Sequence, residues 1–110
     1  MEKIELSQKL ELMLICAERY ALGRRTYIVY ETVNYLTHLL PKVSDWCITI
    51  LTNDMKTEFD RAERIGNTRN FGDDCDYQDW VRFYDALTAE AERRNEKVKS
   101  MVTKAESGTV

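Results

Sequence analysis

Proline and glycine are scarce in this sequence. One proline and four glycines in 110 residues are too few for the frequent turns of an all-β sandwich or for a collagen-like repeat. The apolar runs fall well short of the roughly 20 residues that a membrane span needs, and the charged N-terminus lacks the apolar core of a signal peptide. An apolar fraction of 44% is ordinary for a globular domain. These features predict one domain of long helices, with no membrane segment.

Histidine and paired cysteines are also scarce. His38 is the only histidine, so a Ser–His–Asp or Cys–His catalytic arrangement would have to use it. Cys16, Cys47 and Cys75 are an odd number of cysteines at wide spacing, without a CxxC pair, which is typical of a reducing cytoplasm. The chain contains no phosphate-binding glycine loop, HExxH motif or dinucleotide fingerprint. We therefore expect a protein that is not an enzyme and that has no cofactor.

A zinc site is the alternative to a cofactor-free protein. Cys47, Cys75 and His38 could converge in the fold, with one of the aspartates at positions 73, 74 or 76 as the fourth ligand. Structural zinc sites usually draw their ligands in close pairs, however, and here each ligand comes from a separate segment. We favour three separate residues that bind no metal, and a zinc-stabilised adaptor is the second alternative for the function.

Apolar residues recur with helical spacing in four segments. The predicted helices span residues 3–22, 26–40, 44–65 and about 76–105. They predict an all-α fold, a small bundle of about four helices with αα-hairpin connections, in a single domain over residues 1–105 with a disordered tail at 106–110. Glu11 and Glu18 lie off the apolar face of the first helix. The predicted apolar faces are Leu6, Leu10, Met13, Ala17 and Tyr20 in the first helix; Val29, Val33, Leu36 and Leu40 in the second; Ile48, Leu51, Met55, Phe59 and Ala62 in the third; and Tyr77, Trp80, Tyr84, Leu87 and Ala91 in the fourth.

Local signals predict where the helices begin and end. Pro41 ends the second helix because a residue that precedes proline is disfavoured in the helical conformation. Gly66 ends the third helix, and Ser44 caps its start. Asp76 or a neighbour caps the fourth helix, and Asp79 three residues later completes an approximate capping box.

The segment YALGRRTY, at residues 20–27, forms the corner between the first two helices. We expect Gly23 to end the first helix in a left-handed turn and Thr26 to cap the second. Arg24 and Arg25 lie between them. The favoured interpretation is that one of the two arginines donates to the free carbonyl groups at the end of the first helix. The alternative is that the pair contacts an anion or a partner protein.

Negative charge is concentrated in the middle of the chain, where residues 54–79 carry eight acidic and four basic residues. Four of the acids lie within nine residues, 71–79, without a base and without the spacing of an EF-hand. One interpretation is a solvated loop whose acids stabilise the start of the next helix. The other is a negative patch that docks on the basic nucleic-acid groove of a partner. The partner-binding candidates are Asp73, Asp74, Asp76, Asp79 and Phe71, together with Arg24 and Arg25.

The corner segment resembles a motif of the form Tyr-Ala-Leu-Gly-Arg-x-Thr-Tyr in short proteins of bacteriophages and prophages of Gram-positive bacteria. The segments LLPKVSD at 39–45 and FGDDCDYQDW at 71–80 also resemble that group, so the resemblance covers roughly residues 15–85. The charged C-terminal extension departs from it. Small acidic phage proteins of this size include inhibitors of bacterial immunity, among them anti-CRISPR proteins, and the resemblance implies such a role by analogy.

The favoured hypothesis is therefore a phage-encoded, non-enzymatic inhibitor of a bacterial defence nuclease, such as an RNA-guided one, in the cytoplasm of the bacterial host. It would act by protein–protein binding through the acidic patch. The alternative is a structural or regulatory phage module that self-associates or binds nucleic acid. The net charge of −3 and the interspersed glutamates disfavour direct nucleic-acid binding. Its basic contacts would be Arg24, Arg25, Arg93, Arg94, Lys97 and Lys99.

Overall fold

The described part of the chain forms a bundle of four helices with short connections. The computed structural model describes the backbone of residues 8–22, 24 and 26–108, and the side chains of residues 8–22, 24 and 27–96. No strand occurs in these ranges, and the predicted all-α class is confirmed. Two short 3-10 turns, Leu40–Lys42 and Arg69–Phe71, precede the last two helices. The helices are α1 (Gln8–Ala21), α2 (Thr26–Leu39), α3 (Asp45–Ile65) and α4 (Asp74–Gly108).

The longest helix, α4, organises the bundle. It packs against both α2 and α3, and α1 packs on the α2 and α3 side of the molecule. At 1.5 Å per residue the helix is about 52 Å long, which accounts for the longest dimension of the protein, 56 Å. The backbone of α4 stays helical to Gly108, past residue 105, where the sequence predicts the helical domain to end. Residues 109–110 lie outside the described residues.

Most of the predicted helix ends are confirmed. The helix α2 gives way to a 3-10 turn that contains Pro41. The Ser44 hydroxyl caps α3 and accepts a hydrogen bond from the Cys47 N–H at 3.3 Å. Gly66 ends α3 with φ of 77°, in the left-handed region that favours glycine. At the first corner, Gly23, Arg25 and the side chain of Thr26 lie outside the described residues.

The predicted apolar faces of α2, α3 and α4 form the core. Every predicted position in these three helices is buried or half-buried. Trp80 is fully buried, as the sequence predicts, and Phe83 is buried beside it with ring centroids 5.8 Å apart. In the described ranges no helix has the length and apolar character of a membrane span.

The apolar face predicted for α1 is wrong. Met13 and Tyr20 are 59% and 58% exposed, and Leu6 lies outside the described residues. The helix α1 instead packs through the side that carries Ile15 and Ala21. The spacing is ambiguous because α1 has apolar residues on both sides, so periodicity alone does not say which side faces the bundle.

Two glutamates share the buried side of α1. Glu11 is 4% exposed and Glu18 is 0% exposed. Positions 11, 15, 18 and 22 follow a helical repeat, so the glutamates lie in line with Ile15 and Leu22. That repeat is the signal in the sequence that places the two acids on the packed face. Their partners, described below, explain why burial is tolerated.

Candidate functional site

The acidic segment at the start of α4 contains a capping box. The backbone N–H of Asp76 donates to Asp73 Oδ1 at 3.0 Å, and the backbone N–H of Asp73 donates to Asp76 Oδ2 at 3.1 Å. The sequence places this box at Asp76 and Asp79, and that register is wrong by three residues. Both pairs have the spacing of a capping box, and the structure uses the first of them.

Gly72 explains why the chain uses the earlier pair. Its φ of 108° lies in the region that favours glycine. A Cβ atom at this position would collide with the carboxylate of Asp76. The close approach of the Gly72 backbone thus leaves room for the Asp76 side chain to turn back and cap the helix.

Only part of the predicted acidic patch lies on the surface. Asp73 and Asp74 are exposed, whereas Asp76 is 2% exposed. Asp79 is half-buried and accepts a hydrogen bond from Arg82 Nη2 at 3.1 Å. The acidic surface at the start of α4, meaning Asp73, Asp74 and the edge of Asp79, is what a partner can contact.

Phe71 does not lie on this surface. It is fully buried, and its ring packs on Phe59 and Tyr77 with centroid distances of 4.8 and 5.4 Å. The ring therefore belongs to the core and anchors the connection between α3 and α4, and it is not available as an exposed anchor for a partner.

Arg24 makes the contact that the favoured interpretation of the first corner predicts. Its Nε donates to the backbone carbonyl of Tyr20 at 3.0 Å, near the end of α1. The guanidinium also lies over the Tyr20 ring, 4.6 Å from its centroid, within the range of a cation–π contact. Arg24 thus satisfies a terminal carbonyl and remains exposed. Arg25 lies outside the described residues.

The three residues named for zinc occupy different kinds of position. Cys47 is fully buried, and Cys75 and His38 are exposed. Burial, reinforced by the charges of Glu11 and Glu18, raises the pKa of the Cys47 thiol to about 11. Among the described side chains, no three histidine, cysteine or acidic residues are grouped as metal ligands.

Arg94 of α4 makes hydrogen bonds to several other groups within the fold. Its Nη2 donates to the backbone carbonyls of Leu40 and Val43 at 3.0 and 2.7 Å. Its other nitrogens bind Asp45 and Glu90, each at 2.7 Å. Because these bonds use all three nitrogens of the guanidinium, Arg94 joins α4 to the corner between α2 and α3.

Arg93 makes a simpler contact and stays on the surface. It binds Glu90 while its side chain is 56% exposed. Hydrogen bonds from Arg93 and Arg94 lower the pKa of Glu90 and outweigh the effect of burial. Of the basic residues named for nucleic-acid binding, Arg93 and Arg94 are therefore paired within the chain. Arg25 and the side chains of Lys97 and Lys99 lie outside the described residues.

Glu11 links α1 to the start of α3 through hydrogen bonds. The Ser44 N–H and hydroxyl donate to its two carboxylate oxygens at 2.7 and 2.8 Å. The Ser44 hydroxyl in turn accepts from the Cys47 N–H. A buried anion at a helix N-terminus is stabilised by the helix dipole as well as by these bonds.

Glu18 lies against Asp54, which is held by Arg19. The Arg19 Nε and Nη2 donate to the two oxygens of Asp54 at 2.8 and 3.1 Å, a bidentate pair. Burial, together with a hydrogen bond to Asp54 and the negative charge of Asp54, raises the pKa of Glu18 to about 10. Burial acts to raise the pKa of Asp54, but hydrogen bonds from Arg19 and Glu18 lower it overall. The side chain of Glu18 is therefore a neutral acid at neutral pH.

A groove of about 450 Å³ opens beside this pair, between α1, α3 and the Arg69–Phe71 turn. Its charged groups are matched: Asp54 binds Arg19 at 2.8 Å, and Glu58 lies 3.8 Å from Arg61. The Asn70 amide also donates to Glu58. Because its acids and bases are matched in this way, the groove indicates no particular class of ligand.

Large apolar side chains are exposed mainly on α1 and α2. Tyr27 is 84% exposed and Tyr35 is 70% exposed. Tyrosine and methionine at the surface are characteristic of contact residues in protein–protein interfaces. The exposed set is Leu10, Leu12, Met13, Tyr20, Tyr27, Ile28, Tyr30, Tyr35, Trp46 and Ile65.

Comparison of the chain with protein-family models, with curated proteins and with solved structures finds no match.

Proposed function

We propose that the protein is a phage-encoded, non-enzymatic inhibitor that binds a bacterial defence nuclease through the acidic surface at the start of α4. The observation that carries the proposal is the exposure of Asp73 and Asp74 on a helix start that a reciprocal capping box fixes in place. Carboxylates held at fixed positions compete with phosphates for a basic groove. Because the capping box orders the backbone before binding, little conformational entropy is lost on docking.

Two features of the sequence support the biological setting. The YALGRRTY corner resembles the motif of small phage proteins, which supports a phage origin and, on this proposal, action in the cytoplasm of the bacterial host. The excess of acids over bases in residues 54–79, eight against four, fits a target that normally binds nucleic acid. An RNA-guided nuclease has such a positively charged channel.

The test begins by finding the nuclease. Affinity capture with the full-length protein from host lysate, followed by mass spectrometry, identifies the candidate. Cleavage of labelled target DNA is then measured with the purified nuclease and its guide at increasing inhibitor concentration. We expect inhibition that weakens as salt is raised, because contacts between exposed charges are screened.

The variant that tests the surface is Asp74→Lys. Asp74 is exposed and is not part of the capping box, so its reversal changes charge without removing a helix cap. We expect its inhibitory potency to fall at least about tenfold. The matched control is Asp85→Lys, an exposed aspartate farther along α4, which should stay within about twofold of the unmodified protein. Equal potency of Asp74→Lys and the unmodified protein would exclude this surface, and failure to inhibit the captured nuclease would exclude the function.

A further inference from the structure

One side of α1 is apolar and faces away from the bundle. Leu12, Met13 and Tyr20 are 49%, 59% and 58% exposed, and Cys16 is exposed with them. At 100° per residue, positions 9, 13, 16 and 20 form one line along the helix, with position 12 at its border. We call this the outer face of α1, defined by Lys9, Leu12, Met13, Cys16 and Tyr20. Two of its residues, Met13 and Tyr20, belong to the face that the sequence alone assigns to the core.

The charges around the outer face are positive. Within Gln8–Ala21 both acids, Glu11 and Glu18, are buried on the opposite side. The bases remain outside: Lys9 is exposed at one end, and Arg24 lies over the Tyr20 ring at the other. Arg19 adds a third cation at the border, 59% exposed although it binds Asp54. Burial of the glutamates therefore leaves an apolar stripe with cationic ends.

We propose that the outer face of α1 binds an amphipathic helix of another protein whose apolar stripe is bordered by acidic residues. Two helices that lay their apolar sides together bury the exposed leucine, methionine and tyrosine. Acidic borders on the partner would meet Lys9 and Arg24, which fixes orientation and excludes basic helices. This surface lies on α1, so the inference holds whether or not the acidic surface at the start of α4 inhibits a nuclease.

A second copy of the chain fits this face less well. An antiparallel pair of outer faces would bring Lys9 of one copy near Arg24 of the other, and a parallel pair would set like residues together, so either arrangement opposes like charges. A lipid surface is disfavoured because helices that bind anionic membranes carry a larger set of cations.

The experiment uses a labelled peptide of about 18 residues, five helical turns, with a leucine stripe bordered by glutamates. A matched peptide carries lysines in place of the glutamates. Fluorescence anisotropy with the full-length protein should show binding of the glutamate peptide only. The variant Met13→Glu should weaken that binding at least about tenfold. The control Ile65→Glu, at an equally apolar residue that is 51% exposed on α3, should stay within about twofold.

Reversal of the charge at the two ends of the outer face gives a second, independent readout. The double variant Lys9→Glu with Arg24→Glu should no longer bind the glutamate peptide and should bind the lysine peptide instead. The apolar stripe is kept in this variant, and only the charge at its ends changes. Asp74→Lys should leave peptide binding unchanged, which separates this result from the test of nuclease inhibition.

Four results would overturn the inference. The first is absence of binding to the glutamate peptide, and the second is equal binding by Met13→Glu and the unmodified protein. The third is a dimer in sedimentation equilibrium that Met13→Glu dissociates, since a second copy would then occupy the face. The fourth is binding to vesicles of anionic phospholipid that Met13→Glu abolishes, since lipid would then be the occupant.

Discussion

At the scale of single residues, Glu18 is the least expected feature of the molecule. Its side chain is fully buried next to Asp54, and a buried carboxylate without a donor is strongly disfavoured. Retaining a proton removes the charge from the buried side chain, while Asp54 stays paired with Arg19. The pKa of Glu18, raised from 4.5 to about 10, therefore makes the stability of the fold depend on pH.

The direction of this pH dependence follows from whether the folded or the unfolded protein holds the Glu18 proton more tightly. The folded protein keeps the Glu18 proton up to about pH 10, whereas the unfolded chain releases it above about pH 4.5. The free energy that favours folding is therefore present in full below about pH 4.5 and decreases as the pH rises. We expect the free energy of unfolding, measured by urea denaturation, to decrease between about pH 5 and pH 9.

The variant Glu18→Gln should remove most of this slope, because a glutamine amide is neutral at every pH and close in size to the protonated acid. At pH 8 it should be more stable than the unmodified protein by on the order of 1 to 3 kcal/mol. Near pH 4.5 the two should be equal. The control Glu92→Gln, at an exposed position of α4, should keep the slope. An unchanged slope in Glu18→Gln would show that Glu18 is ionised in the folded state.

At the scale of elements, the start of α4 depends on a few backbone-directed contacts. Asp76→Ala should lower the free energy of unfolding by about 1 to 2 kcal/mol, because the Asp73 N–H loses its acceptor. Gly72→Ala should destabilise by at least as much, since it strains the backbone at positive φ and displaces Asp76. Asp74→Ala, at an exposed aspartate outside the box, should cost less than about 0.5 kcal/mol. Thermal and urea denaturation of the three separate variants give the comparison. Equal losses of stability in all three would contradict the roles assigned to Gly72 and to the capping box.

The helices themselves are predictable to the extent that one side is apolar and the other is not. In α3 the two sides differ clearly, and the sequence identifies the buried positions and the Ser44 cap. In α1 both sides carry apolar residues, and the packed side is the one with two glutamates, so the interpretation from spacing alone fails. Four aspartates in nine residues likewise allow two capping boxes, and only the close approach of Gly72 to Asp76 selects one.

At the scale of the whole molecule, Arg94 connects elements that are far apart in sequence. It binds two backbone carbonyls in the corner between α2 and α3, together with Asp45 and Glu90. Sequence spacing indicates only the contact with Glu90, one turn away. The contacts 49 to 54 residues away depend on the packing of the bundle and cannot be inferred from local pattern. The same holds for the bond between Glu11 and Ser44.

Arg94→Ala should therefore destabilise the fold by about 2 to 4 kcal/mol, since it leaves Glu90 and two carbonyls with fewer donors. Arg94→Lys should restore little, because one ammonium cannot span the same acceptors. The matched control is Arg93→Ala, whose exposed contact with Glu90 should contribute much less to the free energy of unfolding. Urea denaturation gives the comparison. Similar losses for Arg93→Ala and Arg94→Ala would mean that Arg94 does not hold α4 to the corner.

The central claim for the whole molecule is that it acts by covering a surface of its target and not by chemistry. Titration of the protein against DNA cleavage by the captured nuclease, with mass spectrometry of both afterwards, tests this most directly. We predict inhibition that is complete near one protein per nuclease, that is reversed when the protein is removed, and that leaves both masses unchanged. Inactivation by far less than one equivalent, persisting after removal and accompanied by a change in the mass of the nuclease or its guide, would contradict the claim.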